Sequence, residues 1–445
     1  MARSHVAYVC SECGAHSVKW AGQCPDCSAW NTLSETTVRP PRATPTGAAA
    51  RTLDAVIDDV GERQATGFAE FDRVLGGGLT PGAVVLLGGD PGVGKSTLLQ
   101  QVSGNLAAKV PVCYASGEES LRQIGQRAQR LGTVQGDLRL LAETTLETVL
   151  EQAAATECRV LVVDSIQTLA SDALGSAPGS VAQLRECVGR VVQFAKRHDV
   201  AVFLIGHVTK EGAIAGPRVV EHMVDTVLYF ENDPGSRYTM IRSVKNRFGA
   251  SGEIGVFAMT AEGFREVRNP SAIFLSQETA GEPGSTVSVA WEGSRPMLVE
   301  IQALVADGST SHPKRLAQGV EQNRLALLLA VLQRHGNVDP GADDVFVNVA
   351  GGLRIAETAV DLPVVLAIVS SLRNRTPVKQ LVSFGEIGLA GEVRPVRFGE
   401  ERIAAAAKQG FKLAIVPHAN VPRKPPSGIR VVGVRRIGEA LDAAY

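Results

Sequence analysis

The sequence has no apolar run long enough to cross a bilayer, and Met1-Ala2-Arg3-Ser4-His5 is not followed by the apolar core of a signal peptide. This predicts a cytoplasmic protein with no membrane partner. It also lacks a surplus of either charge: 45 Lys and Arg stand against 46 Asp and Glu, a net charge of −1 over 445 residues. A polycation is excluded, so nucleic-acid contacts must come from local patches or from a ring of repeated subunits. Cysteine is scarce, with seven in the chain, and a reducing compartment leaves no disulfide framework to expect. At roughly 150 residues per domain, the length allows two or three domains with separate cores.

What is present is organised around Gly89-Asp90-Pro91-Gly92-Val93-Gly94-Lys95-Ser96-Thr97, preceded by the apolar run Ala83-Val84-Val85-Leu86-Leu87-Gly88. Strand, phosphate loop and helix follow one another. Glycines let backbone N–H groups curl around phosphate oxygens, and the helix N-terminus behind them favours negative charge. Lys95 can reach the β- and γ-phosphates, and Ser96 can hold Mg²⁺. Leu98, Leu99, Val102 and Leu106 supply the apolar face of that helix, which sets the loop apart from a chance glycine match.

Four of the cysteines form two pairs, Cys10 with Cys13 and Cys24 with Cys27, ten residues apart. Each CxxC makes a knuckle that offers two thiolates to a tetrahedral ion, so structural Zn²⁺ is expected. A segment of about 30 residues cannot bury enough apolar surface to fold unaided, and metal would supply its folding energy. A dithiol redox role fits two ribbon-spaced pairs poorly. Trp20 and Trp30 are expected to cover the small zinc core, with stacking on a base or a partner as the alternative. Cys113, Cys158 and Cys187 lie in or beside apolar stretches and read as packed thiols. Residues 34–55 carry Pro40-Pro41, Pro45 and Gly47-Ala48-Ala49-Ala50 and are expected to be a linker.

Thr66-Gly67-Phe68-Ala69-Glu70-Phe71-Asp72-Arg73-Val74-Leu75-Gly76-Gly77-Gly78-Leu79, followed by the phosphate loop, resembles the start of the RecA-type ATPase core. With the four-cysteine module attached, the sequence is similar to the bacterial RadA (Sms) DNA-repair family. Apolar β runs at 110–114, 160–164 and 201–205, alternating with helical stretches near 119–131 and 181–197, agree with a parallel sheet covered on both faces.

The resemblance implies roles for further residues. Asp164 closes the run 160–163, where a carboxylate would stand beside Ser96 and the magnesium ion; strand capping is the plain alternative. Glu118 follows the second strand, where such ATPases place the glutamate that orients the attacking water. Glu119 could fill the same role, the other residue capping the next helix; Glu118 is favoured. Residues 167–180 and 208–218 resemble the DNA-binding loops of this core and otherwise read as surface loops. His207 resembles a γ-phosphate sensor coupled to the second loop, and a hydrogen-bonded structural histidine is the alternative.

Lys245-Asn246-Arg247-Phe248-Gly249 matches the KNRFG signature of the family in all five positions. Lys245 and Arg247 could stabilise a phosphoryl transition state in a neighbouring subunit or contact DNA phosphates. A cation acting from a neighbour requires an oligomer, so the resemblance implies a homo-oligomeric ring, taken as a hexamer.

The last third changes character. Two strands within 285–307, a helix over 319–335, a strand at 344–349, an apolar helix over 356–373, a hairpin near 381–397, a helix over 400–409 and strands at 413–416 and 429–432 make a second α/β domain. Gly388-Leu389-Ala390-Gly391-Glu392-Val393-Arg394-Pro395-Val396 resembles the proteolytic domain of Lon proteases. Alignment by eye puts Ala359 at the position of the Lon serine and Glu400 at or near that of its lysine; neither can do the chemistry.

The expected organisation is α/β throughout: a zinc ribbon at 1–33, a linker at 34–55, a RecA-like P-loop ATPase with a parallel-rich sheet at 56–268, and a proteolytically inactive Lon-protease-like α/β domain at 269–445. The expected activity is that of a DNA-dependent ATPase in recombinational repair, using ATP and Mg²⁺ to translocate or branch-migrate on single-stranded and branched DNA. A recombinase or other repair protein is an expected partner of the zinc module. The rival readings are a nucleotide-switched DNA scaffold without translocation and an ATP-dependent Ser-Lys peptidase.

Overall fold

The computed structural model of the chain describes residues 5–10, 15–26, 28–38, 61–133, 136–207, 219–231, 238–267, 282–308 and 313–445, together with 52, 271 and 275. Two compact units emerge, Met1–Arg268 and Asn269–Tyr445, and each is described by itself.

In the first unit, β1 (His5–Cys10), β2 (His16–Ser17) and β3 (Leu33–Val38) form an antiparallel sheet in the order β2-β1-β3. Pairing of β1 with β3 runs from Cys10↔Leu33 to His5↔Val38. Residues 34–38, expected to open the linker, therefore belong to the ribbon. The reason is local: Thr36, Thr37 and Val38 are β-branched, and a module too small for a large core is stabilised by a third hydrogen-bonded strand. The rest of the expected linker up to residue 51 lies outside the described residues.

The ATPase region runs α1 (Ala69–Val74), β4 (Val84–Gly88), α2 (Lys95–Ala107), β5 (Val112–Ser116), α3 (Leu121–Leu131), β6 (Leu138–Ala142), α4 (Leu146–Ala155), β7 (Val160–Asp164), α5 (Val181–His198), β8 (Ala201–Ile205), α6 (Val219–Met223), β9 (Thr226–Glu231), β10 (Tyr238–Asn246), β11 (Ile254–Thr260) and β12 (Gly263–Glu266). Its strands form one sheet in the order β12-β11-β10-β9-β4-β8-β7-β5-β6. The six strands from β9 to β6 are parallel, and β9 to β12 continue as an antiparallel meander.

Every residue of β4, β5, β7 and β8 is buried, because helices cover both faces. Leu86, Leu161 and Leu204 pack on one side with Val191 of α5, whereas Leu87, Val162 and Phe203 pack on the other with Leu98 of α2. Consecutive residues thus face opposite cores, which is why the sequence shows unbroken apolar runs rather than alternation. Helix α3 begins at a full capping box, Ser120 with Gln123, two residues after the start of the expected helical stretch.

The second unit contains β13 (Ser285–Glu292), β14 (Arg295–Ala306), β15 (Arg315–Gln318), α7 (Gln322–His335), β16 (Asp344–Val349), α8 (Asp361–Leu372), β17 (Leu381–Ser383), β18 (Glu386–Ile387), β19 (Val393–Arg394), α9 (Gly399–Lys408), β20 (Leu413–Pro417), β21 (Arg430–Val434) and α10 (Ile437–Ala444). A mixed sheet is ordered β15-β16-β14-β13-β17-β20-β21, and β18 pairs with β19. Helix α8 is buried from Asp361 to Ser370, so it carries apolar residues all round. It starts later than expected because Thr358–Val360 form a 3₁₀ turn.

Candidate active site

The fold brings four sequence segments to one edge of the parallel sheet. The phosphate loop follows the carboxyl end of β4, Gly117-Glu118-Glu119 that of β5, Asp164 ends β7, and Gly206-His207 follow β8. Ligands of open α/β sheets bind outside this edge. Gly92 and Gly94 have φ of 83° and 98°, left-handed values that let the loop turn its amides inward. Gly94 is the N-cap of α2, and Lys95 is its first residue. Lys95 is only 4 % exposed, and its Nζ donates to the carbonyls of Gly89 (2.7 Å) and Asp90 (2.9 Å). Burial holds its ammonium below the usual lysine range against the opposing charges of Asp164, Glu118 and Asp90.

Asp164 is buried, and its Oδ2 accepts a hydrogen bond from the Tyr114 hydroxyl at 2.7 Å. The following peptide, Asp164–Ser165, is cis. Ser165 Oγ donates to Glu118 Oε1, and His207 Nε2 lies 2.9 Å from the same oxygen. An ionised carboxylate only accepts, so Nε2 carries the proton. Burial tends to raise the Glu118 carboxyl, but the hydrogen bonds from Ser165 and His207, with the charges of His207 and Lys95, outweigh it and leave the group below its ordinary range. Glu119 turns away: Oε2 lies 2.7 Å from Arg127 of α3, and Arg127 in turn reaches Gln100 of α2. The two adjacent carboxylates therefore differ, one among the phosphate-loop groups and one in a frame between two helices.

Sequence reasoning missed Tyr114, Ser165 and Arg127. Ser165 had a local signal, since it directly follows the acid at the end of a buried strand. Nothing in the sequence marks Tyr114, which reads as one more β-forming apolar position.

Lys245 and Arg247 lie elsewhere. In the strand register, Asn246 stands opposite Thr226 and Thr226 opposite Val85, whereas Gly88 stands opposite Tyr229 and Tyr229 opposite Arg242. The KNRFG turn is thus at the amino edge of β4 and the phosphate loop at its carboxyl edge, about 10 Å of strand apart before the loops are counted. Lys245 Nζ donates to the carbonyls of Glu221 (2.9 Å), His222 (3.2 Å) and Val224 (2.8 Å), pairing carbonyls that the end of α6 leaves open. Burial and Arg247 lower its pKa against Asp225 and Glu221. Asn246 bonds to Thr226, Phe248 N and Val74 O. A side chain at Gly249 would fall 2.6 Å from Gly76 Cα, so the motif packs against the glycine turn of the Thr66–Leu79 segment. Arg247 has a more than half-exposed side chain, 3.8 Å from Asp225 Oδ1.

Of the two expected DNA loops, 208–218 lies outside the described residues. Residues 167–180 are held from inside: the buried Gln183 amide accepts from Ser171 N (2.9 Å) and donates to the carbonyls of Leu174 and Ser176, each at 3.0 Å.

In the ribbon, Cys10 and Cys24 are buried together with Leu33. Their amides close matching turns, Cys10 N to Ala15 O (3.0 Å) and Cys24 N to Ala29 O (2.9 Å). Two like knuckles with buried first thiols suit a tetrahedral thiolate site. Cys13 and Cys27 lie outside the described residues. Trp20 and Trp30 are 58 % and 70 % exposed, which corrects the expectation that they cover the core; Tyr8, Ala15 and Ala21 do so instead. Zn²⁺ held by the four cysteines would cross-link the knuckles. Freshly purified protein should carry about one zinc per chain, and its removal should unfold the ribbon. Metal analysis, with protease cleavage within 1–38 before and after chelation, checks both.

In the second unit, Ala359 is buried in the core and Glu400 is exposed in the first turn of α9. The nearby cation is Arg402, 1 % exposed, paired with Glu357 through two bonds of 2.8 and 2.6 Å and set between the rings of Trp291 and Phe384. Ser370 Oγ donates to Arg375 O and accepts from Gly284 N, and Ser371 Oγ accepts from Val305 N. Lys408 is exposed. Arg402, unlike lysine, keeps its charge and cannot serve as a base.

A phosphate loop at the carboxyl edge of a parallel sheet, with a buried acid at the same edge on β7, one strand beyond β8, defines a P-loop ATPase of the RecA and AAA class. The family model described as an AAA domain matches residues 49–213, that of a rubredoxin metal-binding domain residues 8–35, and that of subunit ChlI of Mg-chelatase residues 321–420. The DNA repair protein RadA of Pseudomonas aeruginosa is 53 % identical over 455 residues, covering 100 % of both chains. The proteins of the same name from Salmonella typhimurium and Bacillus subtilis are 50 % and 45 % identical, covering 98 % and 99 % of this chain and 97 % and 99 % of theirs. The chain belongs to the RadA family. No helix among the described residues is long and apolar enough to cross a membrane.

Proposed function

We propose that this chain is a DNA-dependent ATPase of the cytoplasm that processes recombination intermediates, translocating or branch-migrating on single-stranded DNA as a homo-oligomeric ring, taken as a hexamer. Residues 89–97 bind the triphosphate and Lys95 neutralises its outer phosphates. Ser96 and Asp164 would hold Mg²⁺, which supplies charge stabilisation to phosphoryl transfer. Glu118 orients the attacking water. Arg247, with Lys245 beside it, completes the site from the neighbouring subunit, and the zinc module offers a surface to a recombinase or other repair protein.

The observation that carries this reading is the 2.9 Å contact between Glu118 and His207. The catalytic carboxylate is bonded to the residue that directly precedes 208–218, the second expected DNA loop, so DNA bound there would be felt at the phosphate through His207. His207 is then a sensor acting through Glu118. The names of the curated relatives support the DNA-repair setting.

The test is ATP-driven strand displacement on a forked substrate. Wild-type protein should displace the strand, and Lys95→Ala should retain DNA binding but lose displacement by at least about 100-fold. DNA held without displacement by well-folded, ring-forming wild type would instead favour the scaffold. Peptide release is not expected, because Ala359 has no hydroxyl and the hydroxyls of Ser370 and Ser371 are bonded to backbone.

A further inference from the structure

Tyr114 lies on β5, two residues before its end, beside Val162 of β7 in the parallel register that also pairs Ser116 with Asp164. Its side chain is among the largest that are wholly buried. A phenylalanine would pack the same space, so the hydroxyl is the feature to explain. A buried phenol must find a partner, and here it finds Asp164 Oδ2 at 2.7 Å. A phenol is protonated at neutral pH, so it donates to the carboxylate.

The second torsion of an aspartate is soft and roughly two-fold. A carboxylate at the end of a strand can thus rotate unless something fixes it. Nearby groups do not duplicate the role. Lys95 reaches Gly89 and Asp90 carbonyls, Ser165 reaches Glu118, and Arg127 reaches Glu119 and Gln100. We infer that Tyr114 is a positioning residue of the ATPase site: its hydroxyl holds one oxygen of Asp164 and thereby aims the carboxylate at the metal position beside Ser96. This rests on the reading of Asp164 as the magnesium-side acid.

The experiment measures binding rather than turnover. A fluorescent ATP analogue is titrated against full-length protein at a series of Mg²⁺ concentrations and in EDTA, for wild type, Tyr114→Phe, Asp164→Asn and the double variant. A hydrogen bond to a charged group predicts that Tyr114→Phe raises the Mg²⁺ concentration for half-maximal enhancement by about tenfold. Affinity in EDTA should stay within twofold, which also reports that the phosphate loop is folded. In the Asp164→Asn background, Tyr114→Phe should add nothing, because the tyrosine acts through that acid.

A Tyr114→Phe midpoint within twofold of wild type, alongside a shifted Asp164→Asn, overturns the inference and leaves the ATPase reading intact. Additive effects in the double variant also overturn it. An Asp164→Asn midpoint equal to wild type removes instead the assignment of Asp164. Should Tyr114→Phe lose affinity in EDTA, the hydroxyl supports the fold of the whole site, and the positioning role is rejected.

Discussion

Glu118→Gln protein should bind ATP with wild-type affinity and hydrolyse it about 100- to 10,000-fold more slowly, the range expected when a positioned base is removed. The substitution keeps the size of the side chain and its acceptor for Ser165 and His207 but removes the charge. That charge is present at neutral pH, since the two hydrogen bonds and Lys95 together overcome burial and hold the carboxyl below its ordinary range. Single-turnover hydrolysis, read beside equilibrium binding of a fluorescent analogue, separates the two quantities. Glu119→Gln is the control. Its carboxylate is engaged with Arg127, so turnover should fall only as far as the frame between α2 and α3 loosens. Equal turnover by Glu118→Gln and wild type would sink the assignment, and loss in Glu119→Gln alone would exchange the two roles.

Arg247→Ala should lower turnover by roughly 1,000-fold or more, the scale on which an arginine supplied to a phosphoryl-transfer site acts. The strand register leaves little room for action within one chain, because the KNRFG turn and the phosphate loop occupy opposite edges of the sheet. The exposed guanidinium is therefore available to a neighbour. Mixing gives the sharper measurement. Lys95→Ala subunits keep Arg247, and Arg247→Ala subunits keep the phosphate loop, so co-assembled rings contain interfaces with both halves intact. ATPase activity should reappear on mixing two nearly inactive proteins. If it does not, while mixed rings demonstrably form, Arg247 does not act across the interface. DNA affinity measured on the same variant separates the alternative: an arginine bound to DNA phosphates would weaken binding and reduce its salt dependence.

Much of the fold was legible from residue order. Fully buried parallel strands appear as apolar runs, and Gly92, Gly94, Lys95 and Ser96 sit at spacings that only a strand-loop-helix satisfies. The strands from β9 to β12 and the edge strand β6 were not legible. At β6 only part of each side chain is buried, so neither a clean run nor a clean alternation marks it. The third ribbon strand was hidden for a related reason, since Ser34 to Val38 carry little apolar weight.

By itself, the sequence determined the chemistry available: a loop for phosphates, acids at strand ends, paired cysteines, and a second α/β domain without a serine-lysine pair at the expected positions. Each follows from residue type at short spacing, where backbone geometry alone dictates what can meet. Tertiary structure decided which of these groups meet. Strand register separated Arg247 from the phosphate loop of its own chain, packing turned Glu118 inward and Glu119 toward Arg127, and a parallel neighbour placed the Tyr114 hydroxyl on Asp164. Contacts between residues dozens of positions apart depend on sheet order and register, which local spacing does not encode.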